Sequence, residues 1–463
     1  MSEMNTNDNP SKLKSILKEI TDPFRSLFKS SQALWGINIS YFLEGLAYFG
    51  MLGLLAMYFN EYVGLNDILA DQMVGILTAG ITLSMLVLGA MVDLAGIRKS
   101  LLTALSLMLL GRLFIAAGPA IYDGQGLWSN THLFALAGIG WLILGNGIYQ
   151  PAAYAAVKRF TNENSSALGY AMLYAIMNAG AFLPGLISPP VRKAFGITGV
   201  FWLYAFLTVV GIGLVTVLLT KKAIAKAEQE SGNQEGQGTE VEEKLPLKEQ
   251  IAHYIKHFPI TDARFMFFIF ILIPVQTLFA HNWLTLPQYC ERAFSGVVQE
   301  NFELFVNFNP LLIFVLTPVV AAYTAKKDTY KMMIYGTLVM GISPFILAFG
   351  PHIFTLFAFL VVMTVGEAMW QPRFLQWVAE IAPKGMTGIY MGLGQFPWFL
   401  TKVVTSIYAG WFLLHYCPDD TPIQNLRTEE MWLIYGVISM ISPIALILAR
   451  SWMVKGFKVK HEG

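Results

Sequence analysis

The sequence predicts an all-α membrane protein with twelve transmembrane helices in two pseudo-symmetric six-helix bundles. Three observations lead to this prediction. The 463-residue chain is 55% hydrophobic and 13% charged, with a mean hydropathy of +0.54, and a soluble protein carries roughly twice that charged fraction. Twelve apolar runs are each long enough to cross roughly 30 Å of hydrocarbon. A polar heptapeptide in the fourth run returns in the tenth, which indicates an internal duplication.

Each apolar run is predicted to be a helix, because backbone groups in lipid have no water partner and must bond within their own segment. We number these runs as spans one to twelve. They lie at about residues 35–59, 71–93, 100–118, 132–156, 166–189, 197–219, 264–286, 305–324, 331–350, 353–378, 387–414 and 431–450. The predicted domains are a cytoplasmic amphipathic segment at 1–33, six-span bundles at 34–220 and 263–451, a cytoplasmic linker at 221–262 and a cytoplasmic tail at 452–463.

The orientation of the spans follows from the basic residues, which are retained on the cytoplasmic side of a membrane. With the N-terminus placed inside, most of the 31 Lys and Arg residues fall in cytoplasmic segments. The outer loops then hold Arg192, Lys193, Arg292 and Arg427. We therefore expect a multi-pass protein of the plasma membrane (the inner membrane in a bacterium) with both termini in the cytoplasm.

Three further features concern the membrane surfaces. The first 33 residues lack the apolar core and cleavage site of a signal peptide, and their apolar face suits a helix on the inner leaflet or a partner-binding helix. Cys290 and Cys417 follow spans seven and eleven on the predicted outer side, where they either form a disulfide or remain free thiols. His253 and His257 have the spacing of metal ligands but lack a third one, so we expect no metal site.

The loop between spans two and three carries a pattern typical of a cytoplasmic gate. Its residues are Gly89, Asp93, Gly96, Arg98 and Lys99. The glycines allow close helix approach, and the aspartate can bond a helix N-terminus or a basic partner. An ordinary positive-inside loop would explain the two basic residues but not the spaced glycines and the aspartate. The pattern resembles the loop 2–3 signature of the major facilitator superfamily, except that Leu94 stands where a basic residue is usual.

The repeated heptapeptide reads GNGIYQP at residues 145–151 and GEAMWQP at 366–372. Each proline lacks an N–H and frees a carbonyl one turn earlier in its helix. Polar, interrupted helices at equivalent depth in two repeats are where transporters bind substrates, near the bilayer midplane. Bending of the two helices alone is the alternative explanation.

Charged residues inside spans are costly in lipid and normally face a cavity or a partner. Glu44 in span one and Arg112 in span three lie at similar depth, as do Glu367 in span ten and Lys402 in span eleven. One interpretation makes these residues two static ion pairs, with Arg112 structural. The other makes Glu44 and Glu367 proton-coupling or substrate-binding groups.

Other polar side chains in the spans complete the candidate site. His281 is either a proton shuttle near neutral pH or a simply hydrogen-bonded histidine. The predicted substrate-binding residues are Glu44, Tyr48, Asn146, Tyr149, Gln150, Tyr174, Asn178, Gln276, His281, Asn309, Glu367, Trp370, Gln371 and Lys402.

Four motifs together resemble the proton-dependent oligopeptide transporter family over nearly the whole chain. FLEGLAYFGM at 42–51 is similar to the family motif E-x-x-E-R-F-x-Y-Y-G-M, and MNAGAF at 177–182 to I-N-x-G-x-F. Asn309-Pro310-Leu311 followed by Thr317-Pro318 resembles N-P-L…A-P. Residues 366–372, then IAP at 381–383 and MGL at 391–393, match G-E…S-P…L-A-P…M-G-L.

The departures from the family pattern fall mainly on its basic residues. Tyr41 and Gly45 stand at the first Glu and the Arg of the helix-one motif, Leu52 at another Arg, and Gln150 at the helix-four Lys. In the family the basic residues hold the peptide carboxylate, whereas the groups resembling Asn178, Asn309 and Glu367 hold the amino end. The resemblance therefore implies that the amine half of the site is kept and the carboxylate half is lost.

The sequence thus favours a secondary active transporter for a small amine-bearing solute, a di- or tripeptide or a related compound, working by alternating access with proton symport. A uniporter or exporter of another metabolite is the first alternative, and a non-transporting membrane receptor is the second. The expected partners are the solute, protons and the lipid bilayer, with no nucleic acid, no cofactor and a monomeric state. No catalytic motif appears, so an enzyme is not expected.

Overall fold

A computed structural model describes residues 31–88, 95–161, 163–231, 262–324, 327–381, 394 and 396–461 of the chain. Within this part every regular element is a helix, as the sequence predicts. Several sequence predictions lie outside the described residues: most of the segment at 1–33, Gly89 and Asp93 of the predicted gate, His253 and His257, and the motif residues at 382–383 and 391–393.

The first six predicted spans are all helical. Spans one to four are the helices Gln32–Glu61, Asp67–Leu88, Ile97–Ile121 and Asn130–Phe160. Span five begins as Glu163–Phe182 and continues into Pro184–Leu218. Within the second of these helices Gly196, with φ 70° and ψ −177°, separates span five from span six. A further helix, Lys221–Ser231, occupies the start of the predicted linker.

Spans seven to twelve are helical too, with an insertion that the sequence did not reveal. Span seven consists of Ala263–Ile271 and Ile273–Leu284. Three short helices follow it, Leu286–Ala293, Val297–Glu300 and Phe302–Val306. Spans eight to twelve are Phe308–Thr324, Thr329–Leu347, Ile353–Ile381, Phe396–Tyr416 and Thr428–His461, with a short 3-10 helix at Ile423–Asn425. Nine helical segments of the described chain are long and apolar enough to cross a membrane.

Side-chain caps fix where several spans begin. Ser31 accepts a hydrogen bond from the N–H of Leu34 at the start of span one, and Ser129 accepts one from His132 at the start of span four. Asp328 does the same for Lys331 at span nine, at 2.8 Å. Such caps satisfy N–H groups that have no partner within the first turn of a helix.

The chain divides into two compact units. The first unit contains Met1–Asn233, Ala280–Tyr323 and Val403–Thr428. The second contains Gln234–Phe279, Thr324–Lys402 and Glu429–Gly463. Each unit has a buried aromatic core, with Tyr58 and Phe201 in the first and Phe268 and Trp432 in the second. The division into bundles at 34–220 and 263–451 stays a prediction.

The glycine that opens each copy of the repeated heptapeptide is a packing residue. A Cβ on Gly145 in span four would lie 2.8 Å from the carbonyl oxygen of Ala104 in span three. In the second unit a Cβ on Gly366 in span ten would lie 2.6 Å from the Cβ of Met340 in span nine. Small residues at such positions let membrane helices approach to backbone contact. Both copies therefore fix their span against the preceding one.

We expect Gly145→Ala to lower the free energy of unfolding by about 1–3 kcal/mol, because the added methyl has no room against the backbone of span three. The matched control is Gly140→Ala in the same helix, where no atom lies within 4 Å of the added Cβ. That substitution should be neutral or stabilising, since alanine favours helix. Thermal unfolding of the two purified variants in detergent makes the comparison. Equal midpoints would contradict the packing role of Gly145.

Candidate functional site

A buried ion pair lies at the centre of the first unit. Arg112 donates from Nη2 to Glu44 Oε1 at 2.6 Å and from Nη1 to Glu44 Oε2 at 2.8 Å. The two side chains are 1% and 6% exposed. Arg112 also donates to the hydroxyl of Thr208 in span six, so the pair joins spans one, three and six. Of the two interpretations of these charges, the geometry supports a static pair for Glu44 and Arg112.

A cavity of about 50 Å³ opens beside this pair, and we call it the tyrosine cleft. Its aromatic lining residues are Tyr41, Tyr48, Phe49 and Tyr149, its polar ones are Glu44, Asn146 and Gln150, and Gly45 and Met177 complete it. Apolar and aromatic walls with a few converging polar groups are typical of ligand sites. Five predicted substrate-binding residues, namely Glu44, Tyr48, Asn146, Tyr149 and Gln150, therefore share one cavity.

The walls of the tyrosine cleft are held in place by local packing. The ring of Tyr149 stacks on Tyr41 at 6.0 Å between centroids, and its hydroxyl forms a 2.7 Å hydrogen bond with Ser40. Spans one and five meet backbone to backbone, because a Cβ on Gly180 would lie 2.6 Å from the carbonyl oxygen of Phe42. A rigid lining of this kind is suited to binding a ligand with little reorganisation.

The heptapeptide of span four contributes side chains to the cleft in a defined pattern. Asn146, Tyr149 and Gln150 line the cavity, whereas Gly147 lies against Ser84 of span two. The carbonyl that Pro151 was predicted to free belongs to Gly147, which is not among the lining residues. The polar face of this motif in the described structure is therefore made by side chains.

Five predicted site residues, from spans seven, ten and eleven, lie in the second unit. Glu367 is 7% exposed, and Gln276 is fully buried and accepts a 3.1 Å hydrogen bond from Thr401. Trp370 is also fully buried, with its indole N–H directed at the sulfur of Met340 at 3.2 Å. Gln371 and Lys402 are partly buried. Trp370 thus packs inside its unit, and contact of these five residues with a substrate stays a prediction.

The remaining candidates are distributed through the first unit. His281 is buried and hydrogen-bonded through both ring nitrogens, to Thr285 at 2.7 Å and to Tyr408 at 3.0 Å, as expected of a structural histidine. Asn178 is 6% exposed and Asn309 is partly buried. The side chain of Tyr174 lies outside the described part of the structure.

Comparison with known proteins decides the family. A model of the Major Facilitator Superfamily matches residues 37–406, which is most of the chain. This protein belongs to the Major Facilitator Superfamily. The predicted fold class is thereby confirmed, together with its all-α membrane architecture.

Relatives of this Major Facilitator Superfamily protein include peptide and drug transporters. It is 23% identical to dipeptide and tripeptide permease A of Chromobacterium violaceum, covering 89% of this chain and 91% of the permease. It is 22% identical to the multidrug resistance protein MdtH of Yersinia enterocolitica, covering 89% and 90%. The crystal structure of the peptide transporter POT in complex with sulfate matches with a TM-score of 0.70, at 17% identity over 92% of this chain and 96% of that one. The similarity to peptide transporters indicated by the motifs is confirmed.

Sequence reasoning missed a second buried ion pair, at the junction of span two and the helix Leu286–Ala293. Arg292 binds Asp67 through both terminal nitrogens, at 2.7 and 2.9 Å, and also donates to the carbonyl of Cys417 at 3.1 Å. Gln288 donates to Asn60 at 2.9 Å and to Asp67 at 3.3 Å. We call these five residues the Arg292 cluster. It ties together segments that are far apart in the sequence.

The signal that could have revealed this cluster is the short set of basic residues in the predicted outer loops. Arg292 forms the pair with Asp67, Arg192 binds Glu303, and Lys193 lies 3.0 Å from Glu300. A basic residue on the predicted outer side, where Lys and Arg are disfavoured, is therefore an indication of a pairing role in this protein.

The predicted gate is partly described. Gly96 precedes span three with φ 78°, in the left-handed region that favours glycine. Arg98 donates to the carbonyl of Thr216 in span six at 3.4 Å, and Lys99 is exposed. Cys290 and Cys417 are both buried free thiols, so the structure has the second of the two arrangements left open by the sequence.

Proposed function

We propose that this protein is a secondary active transporter that moves a small amine-bearing solute, a di- or tripeptide or a related compound, by alternating access with proton symport. The tyrosine cleft supports this proposal most directly, because its lining includes residues of the helix-one and helix-five motifs that resemble the peptide transporter family. We place the protein in the plasma membrane as a monomer, with both termini in the cytoplasm.

The chemistry of the tyrosine cleft favours a cation over an anion. The nine lining residues include no Lys or Arg, so a ligand carboxylate would have no counter-ion among them. An ammonium group in the cleft would lie among the rings of Tyr41, Tyr48 and Tyr149, and aromatic rings attract cations. Each oxygen of Glu44 also retains a lone pair beyond its bond to Arg112. This agrees with the loss of family basic residues at Gly45, Leu52 and Gln150.

We expect alanyl-alanine amide to bind nearly as well as alanyl-alanine, and N-acetyl-alanyl-alanine to bind about 10–100-fold more weakly. The reason is that a charge-assisted hydrogen bond is worth about 1.5–3 kcal/mol. The measurement is competition of each compound against radiolabelled alanyl-alanine in counterflow with purified protein in liposomes. Equal competition by the acetylated and free peptides would exclude recognition of the amine.

Glu367 is the stronger candidate for proton coupling, because both oxygens of Glu44 are held by Arg112. We expect Glu367→Gln to abolish accumulation of alanyl-alanine driven by a pH gradient while counterflow, which needs no coupling, continues. Glu300→Gln is the matched control, since it makes the same change at a carboxylate that is 61% exposed, and it should keep pH-driven accumulation. Full pH-driven accumulation in Glu367→Gln would exclude this role.

Export of amphiphilic compounds is the second candidate function. It is favoured by the similarity to the multidrug resistance protein and by the aromatic, cation-free lining of the cleft. An exporter would drive dye efflux when the pH gradient is reversed, and would show no counterflow of alanyl-alanine. A receptor would bind a ligand in thermal-shift measurements and show neither activity.

A further inference from the structure

Asp71 is a buried carboxylate that the proposed mechanism does not use. It lies one turn after Asp67 in span two and is fully buried, and neither of its oxygens accepts a hydrogen bond from a described residue. An ionised carboxylate in such a place is very costly, because it loses water without gaining a partner. The protein must therefore supply a charge or a donor to this group in some other form.

The surrounding charges do not neutralise Asp71. The charged groups that act on it are Asp67 and Arg292, and the two terminal nitrogens of Arg292 are already bonded to Asp67. The third nitrogen, Nε, is 3.8 Å from Asp419, an exposed residue, and makes no hydrogen bond to a described residue. The positive charge of Arg292 therefore has to compensate two buried carboxylates that lie one helical turn apart.

Other acids around the Arg292 cluster add to this excess of negative charge. Glu291 lies next to Arg292 in the helix Leu286–Ala293. It is partly buried, and burial raises its pKa to about 7. Glu61, at the end of span one, and Asp419 are the other acids that act on Glu291, against Arg292 and Arg192. The groups facing this region thus hold more carboxylates than cations.

Buried hydrogen-bond acceptors of Asp71 and of the Arg292 cluster also lack donors in the described part of the chain. Gln288 is fully buried and its Oε1 has no donor among the described residues, so acceptors on Gln288 and Asp71 are left unfilled. A carboxyl group that takes up a proton changes from an acceptor into a donor. A single proton on Asp71 would remove the unpaired charge and supply a donor.

We propose that Asp71 is a proton-binding site, occupied while Arg292 and Asp67 are paired and able to exchange its proton when that pair opens. The step is the reversible conversion of the Asp71 carboxylate and one proton into the neutral acid, with no other reactant. Its role in transport rests on the proposed proton symport, but the presence of the proton does not.

The first test detects the proton directly and needs no substrate. Infrared spectra of the purified wild-type protein near neutral pH should contain the carbonyl band of a protonated carboxylic acid. Part of this band should shift with 13C-carboxyl aspartate labelling, and that part should disappear in Asp71→Asn. Protonated glutamates such as Glu291 contribute a part that responds to neither change. Asp123→Asn, which changes an exposed aspartate of the loop after span three, should keep the aspartate-sensitive part. Labelling supplies the answer in the unaltered chain if Asp71→Asn does not fold.

The opposite results are equally clear. An aspartate-sensitive part of the band that survives in Asp71→Asn, or a band with no aspartate-sensitive part, would overturn the proposal. So would an absent band together with a sodium-dependent rise in the thermal midpoint that Asp71→Asn removes, because the ligand would then be a metal cation.

The second test concerns transport in liposomes. Asp71→Asn should lose accumulation of alanyl-alanine driven by a pH gradient and keep counterflow, whereas Asp123→Asn should keep both. Unchanged accumulation in Asp71→Asn would overturn its role in exchange. If the wild-type protein shows no counterflow of this peptide, the proposed function fails while the infrared result still decides whether Asp71 holds a proton.

Discussion

Arg112→Gln is expected to lower the free energy of unfolding by about 3–5 kcal/mol, because it leaves the buried carboxylate of Glu44 without a cation. Both carboxylate oxygens accept from Arg112 in the native protein, and the pair joins spans one and three. The thermal midpoint of the purified protein in detergent measures this loss. Counterflow of alanyl-alanine should fall as well, since Glu44 also lines the tyrosine cleft.

Two comparisons isolate the effect of the buried charge. The double variant Glu44→Gln/Arg112→Gln should recover much of the lost stability, because no unpaired charge remains and the two substitutions are coupled. Arg159→Gln removes an arginine that is 36% exposed and 3.7 Å from Glu228, and it should change stability by less than about 1 kcal/mol. If Arg112→Gln unfolds at the same temperature as Arg159→Gln, the pair does not hold the spans together.

Arg292→Gln is expected to have an effect of similar size, about 3–5 kcal/mol at neutral pH. The substitution leaves Asp67 buried beside Asp71 with no cation between them, and it also removes the hydrogen bond to the carbonyl of Cys417. The loss should be smaller in acid, because a buried carboxyl group without a cation is less costly when it is neutral. Thermal unfolding at several pH values measures both the loss and its recovery.

An exposed pair in the same unit provides the control for Arg292→Gln. Lys193 is 44% exposed and Glu300 is 61% exposed, so Lys193→Gln should leave stability nearly unchanged at every pH. A stability loss in Arg292→Gln that is the same at acid and neutral pH would mean that lost packing, and not an unpaired carboxylate, is responsible.

The order and extent of the spans could be predicted from the sequence, because hydrocarbon requires long apolar helices and little else. The structure has a helix at each of the twelve predicted spans. The three short helices between Leu286 and Val306 could not be predicted, since they are too short to stand out from a loop. Span five was predicted to end at about residue 189, beside Pro189 and Pro190, yet the helix continues to Gly196.

The candidate site was predictable where its residues belong to one sequence motif or lie at the same predicted depth in their spans. Glu44 and Arg112 were paired on depth alone, and the heptapeptide led to Asn146, Tyr149 and Gln150. The Arg292 cluster was not predictable in this way. Asp67 and Asp71 lie at a span boundary, where acids are common, and their partner is more than two hundred residues away in the chain. Only the tertiary structure brings such groups together.

The repeated heptapeptide also has a role in helix packing that its sequence pattern did not reveal. Its proline and polar residues suggested a binding site, whereas Gly145 and Gly366 show that the same motif closes helix–helix contacts in each unit. The second copy contributes Trp370 to the interior of its unit. The motif therefore contains both packing residues and polar residues. The sequence alone does not show which of the two roles each residue has.

The two cysteines give this chain a natural reporter of its own motion. Burial raises the pKa of the Cys417 thiol to about 12, and its carbonyl is held by Arg292, so little of the reactive thiolate exists. The sequence contains no other cysteine than Cys290 and Cys417. The rate at which maleimide alkylates the unaltered protein therefore measures how often the region around these two cysteines opens to water. A solute that keeps this region closed will slow the alkylation, and a solute that opens the region will accelerate the alkylation.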